Sequence, residues 1–306
     1  MRKRMLKNIA FIGICLSCAL VYFQVFDNKK KEDKPKDAGV SNYQTIVLKD
    51  KYNTLVPIEV NMGIEGEKDI INRNILQLMA SNDYVHLGLY PLLSSELQVQ
   101  AMHIDKKTLT FDFNDSLYAS NNEDALDILE GLAYTFCRDG IERINIKIDG
   151  KEVNYLPNST VPVSCLTSTL GINNFDSDSL QIHRTVPVMV YNKKMIHNHA
   201  YYVPVTTRIE VDSSDINTQV SMILNKIDYD KPIHSTQVQM EGGKMKVSLS
   251  SNILLDNETI DQTLYQQLIK SLKSITGITD VSLYVDQQEI TPVKDVNVVI
   301  NNRIRL

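Results

Sequence analysis

One pattern of apolar and polar positions occurs twice along the chain. Apolar residues alternate with polar ones in TLTFDF (108–113) and again in KMKVSL (244–249). Each run precedes a stretch with apolar residues at helical spacing, then a glycine and a second alternating run. The repeat therefore predicts two similar domains. The matched positions are Leu109 and Met245, Phe111 and Val247, Phe113 and Leu249, Leu117 and Ile253, Leu132 and Leu268, Phe136 and Leu272, Gly140 and Gly277, Ile144 and Val281, Ile146 and Leu283, and Ile148 and Val285.

The first repeat predicts two hairpins, two helices and a final strand. Asn121 and Asn122 are suited to cap the second helix, because their side chains accept hydrogen bonds from the first free backbone amides. Gly140 is suited to end that helix. The predicted strands are 45–48, 55–62, 97–101, 109–113 and 144–148, and the predicted helices are 70–79 and 123–136.

The second repeat predicts the same order of elements. Asn192-Lys193-Lys194 has the composition of a turn and is expected to separate the first two strands. Pro204 is expected to place the return strand at a sheet edge or bulge, because proline has no amide proton. The predicted strands are 186–190, 202–209, 236–240, 245–249 and 281–285, the helices are 216–227 and 260–272, and the strand-like run 296–300 has no predicted partner.

These elements predict an α+β protein of two tandem similar domains, each a small and mainly antiparallel sheet with two packed helices. The 306 residues are enough for two hydrophobic cores of ordinary size. We place the first domain at 45–157 and the second at 184–293. The stretch 158–183, rich in Ser, Thr, Asn and Pro, is predicted to connect them, and 294–306 to form a tail.

The N-terminus predicts the cellular compartment. An apolar run from Ile9 to Phe26 follows four basic residues and is about the minimum length that crosses a hydrocarbon core. Residues 1–26 are interpreted as an uncleaved membrane anchor, or alternatively as a lipoprotein signal lipidated at Cys18. The charged segment 27–44 is interpreted as a flexible linker. We expect a cell-membrane protein with a single N-terminal anchor and an extracytoplasmic globular part.

Composition excludes several classes of protein. The formal net charge is −5 and no basic stripe is interleaved with aromatic residues, so nucleic acid is not an expected partner. Of the four cysteines, two lie in the apolar N-terminal run, which leaves Cys137 and Cys165, too few for a disulfide scaffold. Cys137 continues an apolar helix face and is interpreted as a small buried hydrophobe, with a bridge to Cys165 as the alternative.

No residue pattern indicates an enzyme. The sequence contains neither a Gly-x-Ser-x-Gly elbow nor a phosphate-binding glycine loop. Four aspartates are close together, as carboxylates are at glycosidase sites, but Asp112 alternates with buried positions and is expected to face solvent. Asp124 and Asp127 fit the first turn of a helix, where carboxylates stabilise the helix dipole. The fourth is Asp115.

The histidines do not form a convincing metal site. His197 and His199 flank Asn198 on a predicted hairpin loop, but no cysteine or carboxylate within a few residues completes a ligand set. The other histidines are isolated and are interpreted as surface residues. We therefore predict no catalytic, cofactor-binding or metal-binding residues and no cofactor.

The repeated segments resemble the GerMN domain family of sporulation and spore germination proteins. The resemblance rests on TLTFDFNDSL, an apolar helix and GIERINIKIDGK, each preceded by a hairpin with Leu55-Val56-Pro57 or Tyr202-Val203-Pro204-Val205, the latter with Arg208 close behind. Gln287-Gln288 stands where the family usually has Gly-Lys. The resemblance implies a fold similar to ring-building motifs, extracytoplasmic placement, and a role in assembling an envelope complex between mother cell and forespore.

Two functions follow as hypotheses. The first is a non-enzymatic scaffold whose sheet edges and helix faces contact envelope or sporulation proteins, or further copies of itself. The alternative is an envelope-ligand binder that holds peptidoglycan or a peptide in a cleft between the domains. Tyr201 and Tyr202, beside the paired histidines, are the candidate surface, and only one of them can contribute because neighbouring strand residues face opposite sides.

Overall fold

The predicted order of elements is present in both halves of the chain. The computed structural model describes residues 43–63, 67–175, 182–255, 259–293 and 302–304. In the first half the elements are β1 (Tyr43–Lys49), β2 (Leu55–Asn61), α1 (Lys68–Met79), β3 (Val99–Asp105), β4 (Thr108–Phe113), α2 (Asn122–Phe136), β5 (Arg143–Ile148) and β6 (Lys151–Glu152). In the second half they are β7 (Thr185–Ile196), β8 (His199–Glu210), α3 (Ile216–Lys226), β9 (Ser235–Glu241), β10 (Lys244–Leu249), α4 (Gln262–Lys273), β11 (Asp280–Val285), β12 (Gln288–Glu289) and β13 (Arg303–Ile304).

Each half contains two sheets, where the sequence predicted one mainly antiparallel sheet. The first hairpin of each half, β1–β2 or β7–β8, is separate from a four-stranded sheet ordered β3-β4-β5-β6 or β12-β11-β10-β9. The central pairs β4–β5 and β10–β11 are parallel. Each four-stranded sheet is nevertheless mainly antiparallel, as predicted, since its two outer strand pairs are antiparallel. The central pair is parallel because the second helix of each half connects those strands as a crossover, which returns the chain in the same direction.

The residues matched between the repeats are buried at equivalent places. Leu109 and Met245 are each 1% exposed, and Leu132 and Leu268 are fully buried. The matched glycines both have positive φ, +93° and +86°, which suits the backbone that leaves each second helix. The alternating pattern therefore identified the buried faces of both four-stranded sheets and of the helices that cover them.

Helix caps also follow the sequence. The Asn121 side chain accepts a hydrogen bond from the Asp124 amide (2.9 Å) at the start of α2. Asp215 accepts from the Asn217 and Thr218 amides at the start of α3. These side chains satisfy donors that have no partner within the helix, which fixes where each helix begins.

The turn predicted at Asn192–Lys194 is wrong, because β7 continues to Ile196. The chain reverses instead at His197-Asn198, where both residues have positive φ (46° and 66°). The polar side chains that suggested a turn have partners. Lys194 forms an ion pair with Asp50. The side-chain amide of Asn192 donates to the Lys226 carbonyl and accepts from the backbone amide of Asp228. Their polarity reflects side-chain pairing along a long strand.

Much of the predicted connecting stretch packs against the first core. Three side chains of this stretch, Leu166, Leu170 and Ile172, are 4% exposed or less, and short 3₁₀ turns at Val163–Cys165 and Ser168–Leu170 shape the segment. Residues 176–181 lie outside the described ranges.

The ends of the chain are described only in part. The predicted anchor (1–26) with Cys18, nearly all of the linker (27–44) and the run 296–300 lie outside the described residues. Within the described ranges, no helix is both long and apolar enough to span a bilayer. The tail gains a partner that the sequence did not indicate, since β13 pairs in parallel with β2 (Arg303 with Glu59).

The turn at Asp286-Gln287 generates a stability prediction. Both residues have positive φ (49° and 67°), whereas the equivalent turn of the first half has Asp149 followed by Gly150. A side chain in this region costs roughly 1–2 kcal/mol, partly offset by the greater freedom of glycine in the unfolded chain. We expect Gln287→Gly to raise the free energy of unfolding by about 0.5–1 kcal/mol, measured by urea denaturation.

The matched control is Gly150→Gln, which places the same side chain in the equivalent turn. An added Cβ at Gly150 meets only Asp112 Oδ2, at 4.0 Å, so the substitution tests backbone strain without a steric clash. It should lower stability by a similar amount. Equal stability of both variants and the wild type would show that neither turn is strained.

Candidate functional site at the junction of the two halves

The β7–β8 hairpin is shared by the two halves. Near its open end, Val188, Val190 and Ile209 belong to the core of the second half. Near its turn, Ile196 and Tyr201 belong to the core of the first half, together with Val203. Both strands are twelve residues long, which lets one hairpin reach two cores.

A buried ion pair fixes the hairpin to the first half. Lys194 Nζ lies 2.7 Å from Asp50 Oδ2 and donates to Thr54 Oγ1 at 2.6 Å. The Asp50 carboxylate, only 2% exposed, also accepts from the Tyr52 and Thr54 amides. Burial alone would raise the pKa of Asp50, but these hydrogen bonds and the ammonium of Lys194 lower it below its ordinary value.

A second polar network surrounds Glu130 in the middle of α2. Its carboxylate accepts from the Asn173 amide (2.6 Å) and from the Asn174 side chain (2.5 Å). The Asn173 side chain donates to the carbonyls of Leu55 and Pro204, and so joins β2 to β8. Asn173 thus contacts three parts of the chain that are distant in sequence, α2, β2 and β8.

Arg208 extends this network into the second half. Its guanidinium donates to Asn174 Oδ1 (3.1 Å) and to the carbonyl oxygens of Thr169 and Leu170. Burial lowers the pKa of Arg208, while the nearby Glu130 acts to raise it. Arginine keeps its charge in proteins, and the Asn174 side chain links the Arg208 guanidinium to the Glu130 carboxyl group.

Burial changes the pKa of Glu130. The side chain is 1% exposed, and desolvation raises its pKa to about 7, although the hydrogen bonds from Asn174 and Asn173 act to lower it. The carboxyl group therefore titrates near neutral pH. A buried carboxylate that titrates there is stabilised mainly by its hydrogen bonds.

The C-terminal residues complete the junction. Asn302 donates to the carbonyls of Pro57 (2.6 Å) and Tyr202 (2.9 Å) and accepts from the Tyr202 amide. Arg303 forms an ion pair with Glu59 at 2.6 Å. One side chain of the tail thus bridges the first hairpin of each half.

A polar cleft of about 690 Å³ lies beside this network. Lys49 Nζ contacts Asp124 at 2.7 Å and Asp127 at 3.4 Å. Desolvation raises the pKa of Asp127 to about 6 despite the ammonium group, whereas Asp124 keeps a lowered pKa because Lys49 and the Ser120 amide outweigh its burial. The cleft thus places two carboxyl groups with pKa values shifted in opposite directions beside one ammonium group.

The other predicted aspartates do not join this cleft. Asp112 accepts from the Gly150 amide (2.9 Å) and braces the turn after β5, and Asp115 is exposed. The structure therefore brings together two of the four clustered aspartates, at Lys49, and separates the other two.

The remaining candidates from the sequence lie at scattered places. All six histidines are exposed, His197 in the turn of the β7–β8 hairpin, and no group of metal-ligating side chains is gathered among the described residues. Cys137 is a free thiol that contacts the Leu166 carbonyl at 3.6 Å, and burial raises its pKa to about 11. The side chain of Cys165 lies outside the described set.

The prediction that Tyr201 or Tyr202 contributes to a ligand-binding surface is wrong. Both side chains are 2% exposed. Tyr201 packs into the first core, and the ring of Tyr202 lies 5.6 Å from Lys270 Nζ. Both faces of β8 are therefore covered here, and the two rings contribute to joining the halves.

Sequence reasoning missed the residues that hold the junction. Glu130 interrupts an apolar helix stripe, between Leu129 and Leu132, and a carboxylate at such a position signals a buried polar partner. Asn173 and Asn174 gave no such signal, because a connecting segment is expected to contain asparagine. Lys194 and Asp50 each resembled ordinary turn residues.

Comparison with known proteins agrees with this architecture. A family model described as "Germane: Sporulation and spore germination" matches residues 25–154. Spore germination protein GerM of Bacillus subtilis (strain 168) is 25% identical over 212 residues, 65% of this chain and 55% of that protein. The chain thus matches about half the length of that relative.

The structural comparison extends over both halves. The tandem GerMN domains of the sporulation protein GerM from Bacillus subtilis superpose with a TM-score of 0.69 over 86% of this chain and 93% of that one. The chain is similar to GerM, in sequence over 212 residues and in fold over both halves. The resemblance inferred from the sequence is confirmed. At 18% identity the superposition shows a common fold for the GerM-like chain, and no more than the fold.

The raised pKa of Glu130 predicts a pH dependence of stability. Between its ordinary value of 4.5 and about 7, the folded protein keeps a proton that the unfolded chain has released. The contribution of this group to stability is therefore full below pH 4.5 and falls as the pH rises through 7. Relative to Glu130→Gln, which cannot titrate, the wild type should lose about 2–3 kcal/mol of unfolding free energy between pH 5 and pH 8, measured by urea denaturation.

The control is Glu123→Gln, an exposed residue at the start of the same helix. This variant should keep the pH slope of the wild type. If Glu130→Gln also keeps that slope, the carboxyl of Glu130 does not titrate in this range.

Proposed function

We propose that the protein is a non-enzymatic scaffold, anchored in the cell membrane by its N-terminal segment and placed outside the cytoplasm, which assembles an envelope complex during sporulation or spore germination. Similarity to a spore germination protein supports the process. The basic residues and apolar run at the N-terminus support the anchor. Partners are envelope or sporulation proteins, or further copies of the chain.

The observation that carries the proposal is that two similar domains are held together and that each has a sheet with an unpaired edge strand. The shared hairpin, the Asp50–Lys194 pair and the Glu130 network hold the halves together. Among the described strands, none pairs with the outer side of β3 or of β9. Two joined halves, each with an unpaired strand edge, are suited to a subunit that binds its partners in a fixed orientation.

Neither edge contains lysine or proline, the residues that proteins use to block pairing at exposed edges: β9 is STQVQME and β3 is VQAMHID. We choose the β9 edge for the proposal. Gln237, Gln239 and Met240 are exposed on it. We place the partner strand along β9, where main-chain hydrogen bonds would provide affinity and alternate side chains specificity.

The buried acidic groups support a non-enzymatic role. Asp124 and Asp127 share Lys49, and Glu130 is held by two asparagines. Each carboxylate is engaged in joining parts of the fold. We expect the purified outer part, from Ser41 onward, to have no hydrolytic activity.

Deletion and edge-directed crosslinking test the scaffold role in cells. Deletion of the gene should block assembly of an envelope complex during sporulation, because the complex loses a structural part. A photo-crosslinking amino acid at Gln239 on β9 should capture a protein of the envelope or a second copy of the chain, identified by mass spectrometry.

The control places the same crosslinker at the exposed Asp228, after the end of α3 and away from β9. It should capture markedly less of that product. Normal sporulation in the deletion strain would refute the role in sporulation. Recovery of peptidoglycan, and of no envelope protein, in pull-downs would favour the ligand-binding alternative.

A further inference from the structure

A cleft of about 570 Å³ separates the first hairpin from the second half. It is bounded by β1 and β2 on one side and by β7 and α4 on the other, with Tyr134 of α2 and Asn302 also in its lining. Its volume is in the range of small-ligand sites, about 300–1,000 Å³. None of the residues singled out in the sequence as candidate site residues lines it.

Two tyrosines from different halves meet in this cleft. The hydroxyl groups of Tyr134 and Tyr191 are 2.8 Å apart, so one donates to the other. The proton of the accepting hydroxyl has no acceptor among the described residues. Burial raises the pKa of both groups above the ordinary value, which keeps them protonated at neutral pH. The pair therefore presents one unused hydrogen-bond donor.

Lys270 brings a positive charge without a direct partner to the same cleft. It is half-buried, and no hydrogen bond or ion pair to its ammonium group is found in the described part of the chain. Its contact with Tyr202 is to the ring face, 5.6 Å from the centroid. Desolvation lowers the pKa of Lys270. A partly desolvated ammonium without an acceptor is costly unless an anion binds it.

The other charged residues of the cleft are already paired. Lys273 lies 3.5 Å from Asp280, and Glu59 lies 2.6 Å from Arg303. Lys270 is thus the lining charge without a hydrogen bond or ion pair among the described residues, while the Glu59 carboxylate, itself paired with Arg303, acts on it at longer range. The remaining wall is partly apolar, with Pro57, Met189 and Ile269.

We infer that this cleft binds the free carboxylate of a peptide or amino acid, a binding function beyond the proposed scaffold role. The Lys270 ammonium opposes the carboxylate charge, the unused phenol proton donates to it, and the apolar wall contacts the adjoining side chain. A carboxylate is the anion that one ammonium neutralises completely, whereas a phosphate dianion would require a second cation.

Fluorescence polarisation with a matched pair of probes tests the inference. The probes are fluorescein-labelled Ala-Leu-Ala with a free C-terminal carboxylate and the same peptide as its C-terminal amide, titrated with the full chain in detergent. The wild type should bind the acid at least about tenfold more tightly than the amide, as expected for hydrogen bonds to a charged group. Competition by N-acetylalanine at concentrations similar to the peptide acid would identify a single amino acid as sufficient; weaker competition would indicate a peptide.

Variants of Lys270, with Lys246 as a control position, distinguish an effect of the ammonium charge on binding from a loss of folding. Lys270→Gln should bind acid and amide equally, Lys270→Arg should keep the preference for the acid, and Lys246→Gln, exposed on β10 outside the cleft, should match the wild type. Circular dichroism checks that each variant is folded. Equal affinity of the wild type for acid and amide, no saturable binding of the acid, or an unchanged preference in folded Lys270→Gln would overturn the inference.

Discussion

The structure depends on one hairpin whose two ends are buried in different cores. Ile196 and Tyr201 are in the first core and Val188 and Val190 in the second, and each is 7% exposed or less. Burying each large apolar side chain contributes about 1.5–3 kcal/mol, so neither half can release the hairpin without a large loss. The halves are therefore repeats in sequence but a single body in stability. A fixed relative orientation is consistent with the proposed scaffold role.

Buried polar groups give this junction its specificity. Apolar contacts alone would allow the hairpin to slide by two residues and keep the same face buried. Lys194 and Asp50 prevent this, because a shifted register would leave a buried carboxylate without its cation, at a cost of about 3–5 kcal/mol. Glu130 has a similar effect through Asn173, whose side chain joins β2 and β8. The polar contacts select the register, and the apolar contacts stabilise it.

The fold could be predicted from the sequence where burial is periodic. Leu109 and Phe111, with their counterparts Met245 and Val247, revealed both four-stranded sheets because one face of each is buried and the other is polar. Most polar contacts of the junction could not be predicted, since their residues have the composition of turns and connecting segments. Asn192 and Lys194 have the composition of a turn, and only the positions of Asp50 and the end of α3, distant in sequence, explain why a strand contains them.

The most direct test of this account is native-state hydrogen exchange of the full chain across a urea series. If the shared hairpin couples the halves, the slowest amides of β4 and β10 should open with the same free energy and the same urea dependence, because both are released only by global unfolding. Exchange of β10 at lower urea, with β4 still protected, would mean that the second half unfolds by itself and that the hairpin does not join the two.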